Sequence, residues 1–453
     1  MFIRGVCLTL VLLAAIPAFS QLGVTPYTTP DAPAVDAPML TPPPVSGQPY
    51  PSTVGDEVRS NYLSAGLNAS AAHDDNVLEG SGGAPVNDVI YSIFPTVTLN
   101  QITPRQQRTL TYSPGFTFYQ NTRALNDISH NANLTFEFKL SPHVAILLRD
   151  SFQKSSNIFE QPYPLSGATI SGSSQSSPIA VVAPYADHLN NTTNASISYQ
   201  FSRNAMIGSS GIITFSNYPH PTQAFGLYNS TSVGGSAFYI HRLSKSQYIG
   251  ITSQYLNSHS NPVDARTTPN SSQIDVQTYA LLPFYTIYLS PTVSLSASIG
   301  PEHYKATQDF SPSAISWEPY AMASVGWQKS RTNLVASYSR SVAGGVGLPG
   351  AFQSDSANAL ARWQIANTWA VELTGNYAIY KDLTPLFSSS TQNGHAISAS
   401  ASVQHTIGER VKLSLQYARL HQNFSGVQVI SENPDSNRES ISVSYQFSRP
   451  LGR

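Results

Sequence analysis

The sequence predicts an all-β protein, a transmembrane antiparallel β-barrel of about eighteen strands with short turns on one rim and long loops on the other. Three observations carry that prediction. Apolar and polar residues alternate with period two along most of the chain. The connections between alternating runs are short and long in turn. The composition is poor in charge without being conventionally hydrophobic: 453 residues, 11% charged and 41% apolar, with a mean hydropathy of −0.15. Soluble domains carry about 25% Asp, Glu, Lys and Arg. Here uncharged polar residues fill the gap, and 24 Tyr with 19 Phe suit strands. A net charge of −1 excludes the basic footprint of a nucleic-acid binder and the acidic excess of a disordered chain.

The N-terminus reads as a secretory signal peptide over residues 1–20. Arg4 supplies the basic region, Val6 to Ile16 the apolar core, and Ala18-Phe19-Ser20 a small-x-small cleavage site. The run is too short to span a bilayer, which needs about 20 apolar residues. Cys7 lies inside it, so the mature chain is expected to have no thiol, hence no disulfide and no thiolate metal site. Residues 21–58 read as a periplasmic linker. Pro26, Pro30, Pro33, Pro38, Pro42, Pro43, Pro44, Pro49 and Pro51 each remove a backbone donor and prevent both helix and ladder. This segment is a lead-in to the first strand or a docking site for periplasmic export components.

The barrel is expected over residues 59–453. Leu134, Phe136, Phe138 and Leu140 alternate with Thr135, Glu137 and Lys139. Ala195, Ile197, Tyr199 and Phe201 alternate with Ser196, Ser198 and Gln200, and Ile441, Val443, Tyr445 and Phe447 with Ser442, Ser444 and Gln446. Period two places one set on each face of a strand. The runs centre on Leu63, Ile93, Phe116, Phe136, Ile146, Ile197, Ile213, Ala237, Ile251, Leu282, Leu295, Ala321, Ala336, Ala361, Leu373, Ala399, Leu415 and Val443.

Tight turns are expected at Ser141-Pro142-His143, Ser202-Arg203-Asn204, Leu243 to Ser246, Ser290-Pro291-Thr292, Gln328 to Thr332, Ala366-Asn367-Thr368 and Thr406 to Arg410. Between them run long polar loops: Ser155 to Asp187, Ser216 to Thr231, Asn257 to Ser272, Lys305 to Ile315, Arg340 to Ser354, Lys381 to Gly394 and Gln422 to Asn437. In lipid every backbone polar group must be paired within the protein, and without long helices only a closed barrel does so. Tyr112, Tyr119, Tyr199, Phe201, Trp317, Trp327, Trp369, Tyr377, Tyr380, Tyr417, Tyr445 and Phe447 stand near strand ends, where interface girdles belong.

The segment Ser198-Tyr199-Gln200-Phe201-Ser202-Arg203 recurs as Ser444-Tyr445-Gln446-Phe447-Ser448-Arg449. With the leader and the Ser/Tyr-rich strands, the chain resembles the outer-membrane β-barrel porins, some of which are associated with exopolysaccharide export. The last strand resembles the signal read by the barrel-assembly machinery, although six residues follow its Phe447. The resemblance implies a bacterial outer-membrane location, contact with outer-membrane lipid and a transport role.

Enzyme chemistry is not expected. Gly345-Val346-Gly347-Leu348-Pro349-Gly350 matches a dinucleotide fingerprint but lacks the strand-helix context, and reads as an external loop or an inward constriction. The 11 histidines have no zinc-site spacing, no G-x-S-x-G occurs, and His259 sits in an expected loop without a visible acid partner. No cofactor or metal is expected. If the aliphatic set meets lipid, then Glu137, Lys139, Arg149, Glu302, Glu318, Arg362, Glu372 and Lys412 line the lumen, as a filter or as register pairs. Tyr119 and Tyr320 share that face. The expected function is a channel for small polar solutes or for polysaccharide export, narrowed by Ser155 to Asp187 folding inward. The alternatives are a closed barrel with binding loops and an outer-membrane hydrolase.

Overall fold

The computed structural model describes residues 61–78, 84–103, 105–156, 186–224, 226–263, 273–309, 311–329, 331–344, 347–384, 393–425 and 435–450. The expected leader (1–20) and linker (21–58) lie outside the described residues, and the described barrel wall starts at Tyr62.

Eighteen strands follow one another: β1 (Tyr62–Asp74), β2 (Asp88–Ile102), β3 (Gln106–Tyr119), β4 (Asp127–Ser141), β5 (Val144–Ser155), β6 (His188–Gln200), β7 (Ala205–Asn217), β8 (Tyr228–Arg242), β9 (Gln247–Pro262), β10 (Ile274–Ser290), β11 (Val293–Gln308), β12 (Ala314–Lys329), β13 (Thr332–Gly344), β14 (Ala351–Ala366), β15 (Trp369–Asp382), β16 (Gly394–Ile407), β17 (Val411–Phe424) and β18 (Asp435–Pro450). Each pairs antiparallel with its sequence neighbours, and β18 returns to β1 from Tyr62↔Pro450 to Asp74↔Arg438. The sheet is closed and has no free edge. Every expected strand centre falls inside the strand of the same rank. At a spacing of about 4.8 Å, eighteen strands give a perimeter on the order of 85 Å across the strands, wide enough for a lumen.

The apolar set points outward. Leu373, Leu415, Ile441 and Val443 are all about half exposed on the outer face. Rings mark that face near the long-loop side, where Tyr255, Tyr279, His303 and Trp317 on β9 to β12 follow one another at centroid distances of 4.7, 6.4 and 4.9 Å. Near the short-turn side, Tyr199, Phe201, Tyr239 and His241 form a similar run. Two residues counted with the girdles, Tyr119 and Tyr380, are buried inside the barrel; for Tyr119, as for Tyr320, this is the lumen side also expected from the sequence. Their strand parity, rather than their nearness to a strand end, decides the face.

The inward face is a surface of paired hydroxyls. Ser92 meets Thr117 at 3.2 Å, Ser210 meets Ser236 at 2.7 Å, Thr286 meets Ser296 at 2.8 Å and Thr374 meets Ser400 at 2.7 Å, each across a strand pair. These pairs account for the Ser/Thr excess, since each satisfies a polar group without charge.

The strands run further than the alternation does on the long-loop rim. β9 continues to Pro262 and so includes His259, and the β7–β8 connection shrinks to residues 218–227. Beyond the apolar band both faces of the wall are wet, so alternation disappears while the backbone ladder continues. His259 is therefore a strand residue, and it has the acid partner the sequence did not reveal: its Nδ1 lies 2.8 Å from Asp275 Oδ1 on β10.

Leu373 lies on the outward face midway between Trp369 and Tyr377 of the same strand. Leu373→Arg is expected to cost about 2–4 kcal/mol, the figure for a cation at the middle of the lipid face of a barrel. Thr374→Lys, one residue on and facing inward, should cost less than half as much. Urea titration of the folded barrel in lipid vesicles checks both; equal costs would contradict the assigned faces.

Candidate functional site: a hairpin folded into the lumen

The β13–β14 hairpin parts from β12 on one flank while staying paired to β15 on the other as far as Phe352↔Asp382. Pairing of β12 with β13 ends at Ala321↔Arg340, although β12 itself continues to Ala314. β13 and β14 stay paired to each other as far as Gly344↔Ala351, so the end of β13 turns inward together with the β14–β15 ladder. Val342 has lost the strand partner its N–H would have found in β12. The Glu302 carboxylate on β11 replaces it, accepting the Val342 N–H at 2.7 Å. A carboxylate is a stronger acceptor than a carbonyl, which suits a donor sealed from water. Next to it, Glu318 on β12 accepts the Gln353 side-chain amide at 3.1 Å. On the other flank, the Ala351 N–H reaches Thr384 Oγ1 at 3.1 Å and the Leu383 N–H reaches the Ala351 carbonyl at 2.9 Å.

The tip is the segment that matched the dinucleotide fingerprint. Gly347 has φ +86° and Gly350 φ +112°, in the left-handed region that favours glycine. A Cβ on Gly350 would also collide with Thr384 Oγ1. The glycines thus serve a tight turn inside the barrel. The Tyr228 N–H at the start of β8 donates to the Gly347 carbonyl at 3.0 Å, tying the tip to a wall five strands away from β13.

Leu348, fully buried at the tip, anchors an apolar cluster with Ala343 and Phe352 of the hairpin. Tyr218 and Leu227 join it from the β7–β8 connection, and Tyr380 and Phe424 from β15 and β17. Strands β8 and β17 are nine apart in an eighteen-stranded ring, which is the opposite wall. The cluster therefore bridges the lumen at its long-loop end. His188 stacks on Tyr218 at 4.8 Å, and burial pushes the Tyr218 phenol above its ordinary pKa.

The eight charged candidates lie on the inward face in three places. Glu137 and Lys139 on β4 approach each other at 3.6 Å, with Arg149 on the neighbouring β5. Arg362 on β14 and Glu372 on β15 are register partners on the opposite wall, nine strands from Arg149, and Lys412 faces inward on β17. Glu302 and Glu318 hold the hairpin. Sequence spacing could not separate these two from the rest, because the separation depends on where β13 departs.

Ser155 to Asp187, the expected constriction, lies mostly outside the described residues (157–185). The segment observed inside the barrel is the β13–β14 hairpin. The signal for it in the sequence was the glycine run, read there as an external loop or a constriction.

These features define a class: an eighteen-stranded transmembrane barrel whose lumen is polar along the wall and narrowed by an inward hairpin. No family model matches the chain, and no curated protein matches it. Among solved structures it is similar to Pseudomonas aeruginosa OccK2 (OpdF) in complex with glucuronate, at TM-score 0.43 and 9% identity over 86% of this chain and 100% of that one. It is similar also to Pseudomonas aeruginosa OpdQ, at TM-score 0.41 and 9% identity over 86% and 99%. The ferric citrate transporter FecA aligns at TM-score 0.41 and 10% identity over 84% of this chain, which spans 64% of that transporter.

Proposed function

We propose that the protein is a porin-like channel for small polar solutes in a bacterial outer membrane. The observation that carries this reading is the closed barrel with an apolar outer belt and a hydroxyl-lined inner face, crossed at one end by the hairpin. Solutes would enter beside the hairpin and pass between the charged groups on β4–β5 and β14–β15. Both signs occur on each wall, so neutral or zwitterionic solutes fit better than strongly charged ones. A hairpin held across the mouth also disfavours export of a thick polysaccharide chain.

The apolar cluster supports a second reading, a barrel that is shut at rest and acts through its loops. Planar-bilayer recording separates the two. Stable single-channel steps from the purified protein are expected, with little preference between K⁺ and Cl⁻. Absence of conductance from protein that is folded and inserted would favour the closed barrel.

A further inference from the structure

On the outer face of β16 and β17, two imidazoles meet at the long-loop rim. His395 Nε2 lies 3.1 Å from His421 Nε2, with ring centroids 5.2 Å apart. The two are diagonal neighbours, since His395 pairs in register with Asn423 and His421 with Ile397. His421 stands four residues beyond Tyr417 along its strand, toward the loops, in register with the outward Ile397 at the loop-side edge of the apolar belt. On its far side, His421 Nδ1 lies 3.2 Å from Asp435 Oδ1 on β18, and the same oxygen accepts from Arg419 Nη2 at 2.8 Å.

The carboxylate favours one tautomer of the neutral ring. An ionised carboxylate only accepts hydrogen bonds, so His421 Nδ1 carries the proton and its Nε2 presents a lone pair toward His395. With the proton of a neutral His395 on Nε2, that N–H donates into the lone pair across the 3.1 Å contact. If His395 takes its other neutral tautomer, with the proton on Nδ1, two Nε2 lone pairs converge. Nitrogens bound to zinc at about 2.05 Å in a tetrahedron stand about 3.3 Å apart, close to the observed spacing. The carboxylate behind His421 is the usual outer partner of a metal-bound histidine, orienting the ring and raising its basicity. Arg419 is engaged by Asp435, so its charge is locally balanced.

We propose that His395 and His421 form a surface site for a borderline divalent transition metal such as Zn²⁺ or Ni²⁺, with Asp435 as the orienting residue. Among the described residues no group of three or more His, Cys, Asp or Glu side chains converges as a metal cage. The site is a two-histidine one, its other positions filled by water, and is open to the medium because Asp435 is half exposed and His421 partly so. Hard cations such as Mg²⁺ are not expected to bind, since they demand oxygen ligands.

The test uses tag-free, detergent-folded protein and calorimetric titration with ZnCl₂, NiCl₂ and MgCl₂. Saturable one-to-one binding of Zn²⁺ and Ni²⁺, but not Mg²⁺, is expected. His395→Ala and His421→Ala should each abolish it, and Asp435→Asn should weaken it by about tenfold, in line with loss of an outer partner. His130→Ala, which removes an outward histidine on another wall, should leave it unchanged. Folding of each variant is checked by its shift on unheated gels. Independently of any variant, Cu²⁺ added to the native protein should give an electron paramagnetic resonance signal split by two imidazole nitrogens. No saturable binding, binding that survives in the His395→Ala/His421→Ala double variant, or a copper signal with a single nitrogen would overturn the proposal.

Discussion

Replacing residues 345–350 by Asn-Gly is expected to raise single-channel conductance at least about twofold, because pore width sets the current. Gly344 and Ala351 are register partners, so a two-residue turn closes the hairpin without disturbing the ladder on either side. The change removes Leu348, the tip's member of the apolar cluster that includes Tyr218, Leu227, Tyr380 and Phe424. It also frees the Tyr228 N–H, which then faces the lumen and water. Glu302→Ala should act in the same direction by a different route: the Val342 N–H loses its acceptor, the hairpin root loosens and the open level becomes noisier. Glu302→Gln keeps an acceptor at that position and should change little. A folded variant lacking 345–350 whose conductance matches the native protein would show that the hairpin does not limit the current.

Asp74→Ala is expected to destabilise the barrel by about 3–5 kcal/mol, the cost of removing one partner from a buried ion pair. Asp74 is fully buried, and its Oδ2 accepts from Arg438 Nη2 at 2.7 Å and Nε at 2.9 Å. Its Oδ1 accepts from Ser436 Oγ at 3.0 Å and from the Asn76 N–H at 2.9 Å. This cluster closes the seam where β1 meets β18, the pairing of the wall that joins the strands farthest apart in sequence. Asp74→Ala leaves a buried guanidinium facing orphaned donors. Asp74→Ala combined with Arg438→Met should recover a large part of the loss, since the uncompensated charge is then gone. Urea midpoints in detergent micelles give both numbers. A single variant as stable as the native protein would mean that the seam is held by its backbone ladder alone.

Much of the fold was legible in the sequence. Strand number and order followed from period-two alternation, as at Ile441 to Phe447, because lipid on one face and water on the other force each residue to declare its side. The turns at Ser141-Pro142-His143 and Ala366-Asn367-Thr368 were legible for a related reason: a turn breaks the alternation with residues that cannot extend it. Strand ends on the loop rim were not legible. At His259 both faces are wet, so nothing in the residue types distinguishes ladder from loop.

The functional interior was only half legible. The inward position of Glu302 and Glu372 followed equally from parity, yet one holds a backbone N–H and the other faces Arg362 across a strand pair. The difference arises because β13 abandons β12 after Arg340, a long-range event with no period of its own. The pairing of His395 with His421 is of the same kind, since a diagonal contact depends on register between strands. The sequence by itself determined that this chain is a closed barrel with a polar interior, because alternation is a local response to two solvents. The tertiary structure alone decided what fills that interior and which side chains meet, because those contacts depend on the register between strands, on where β13 parts from β12 and on walls that closure brings face to face.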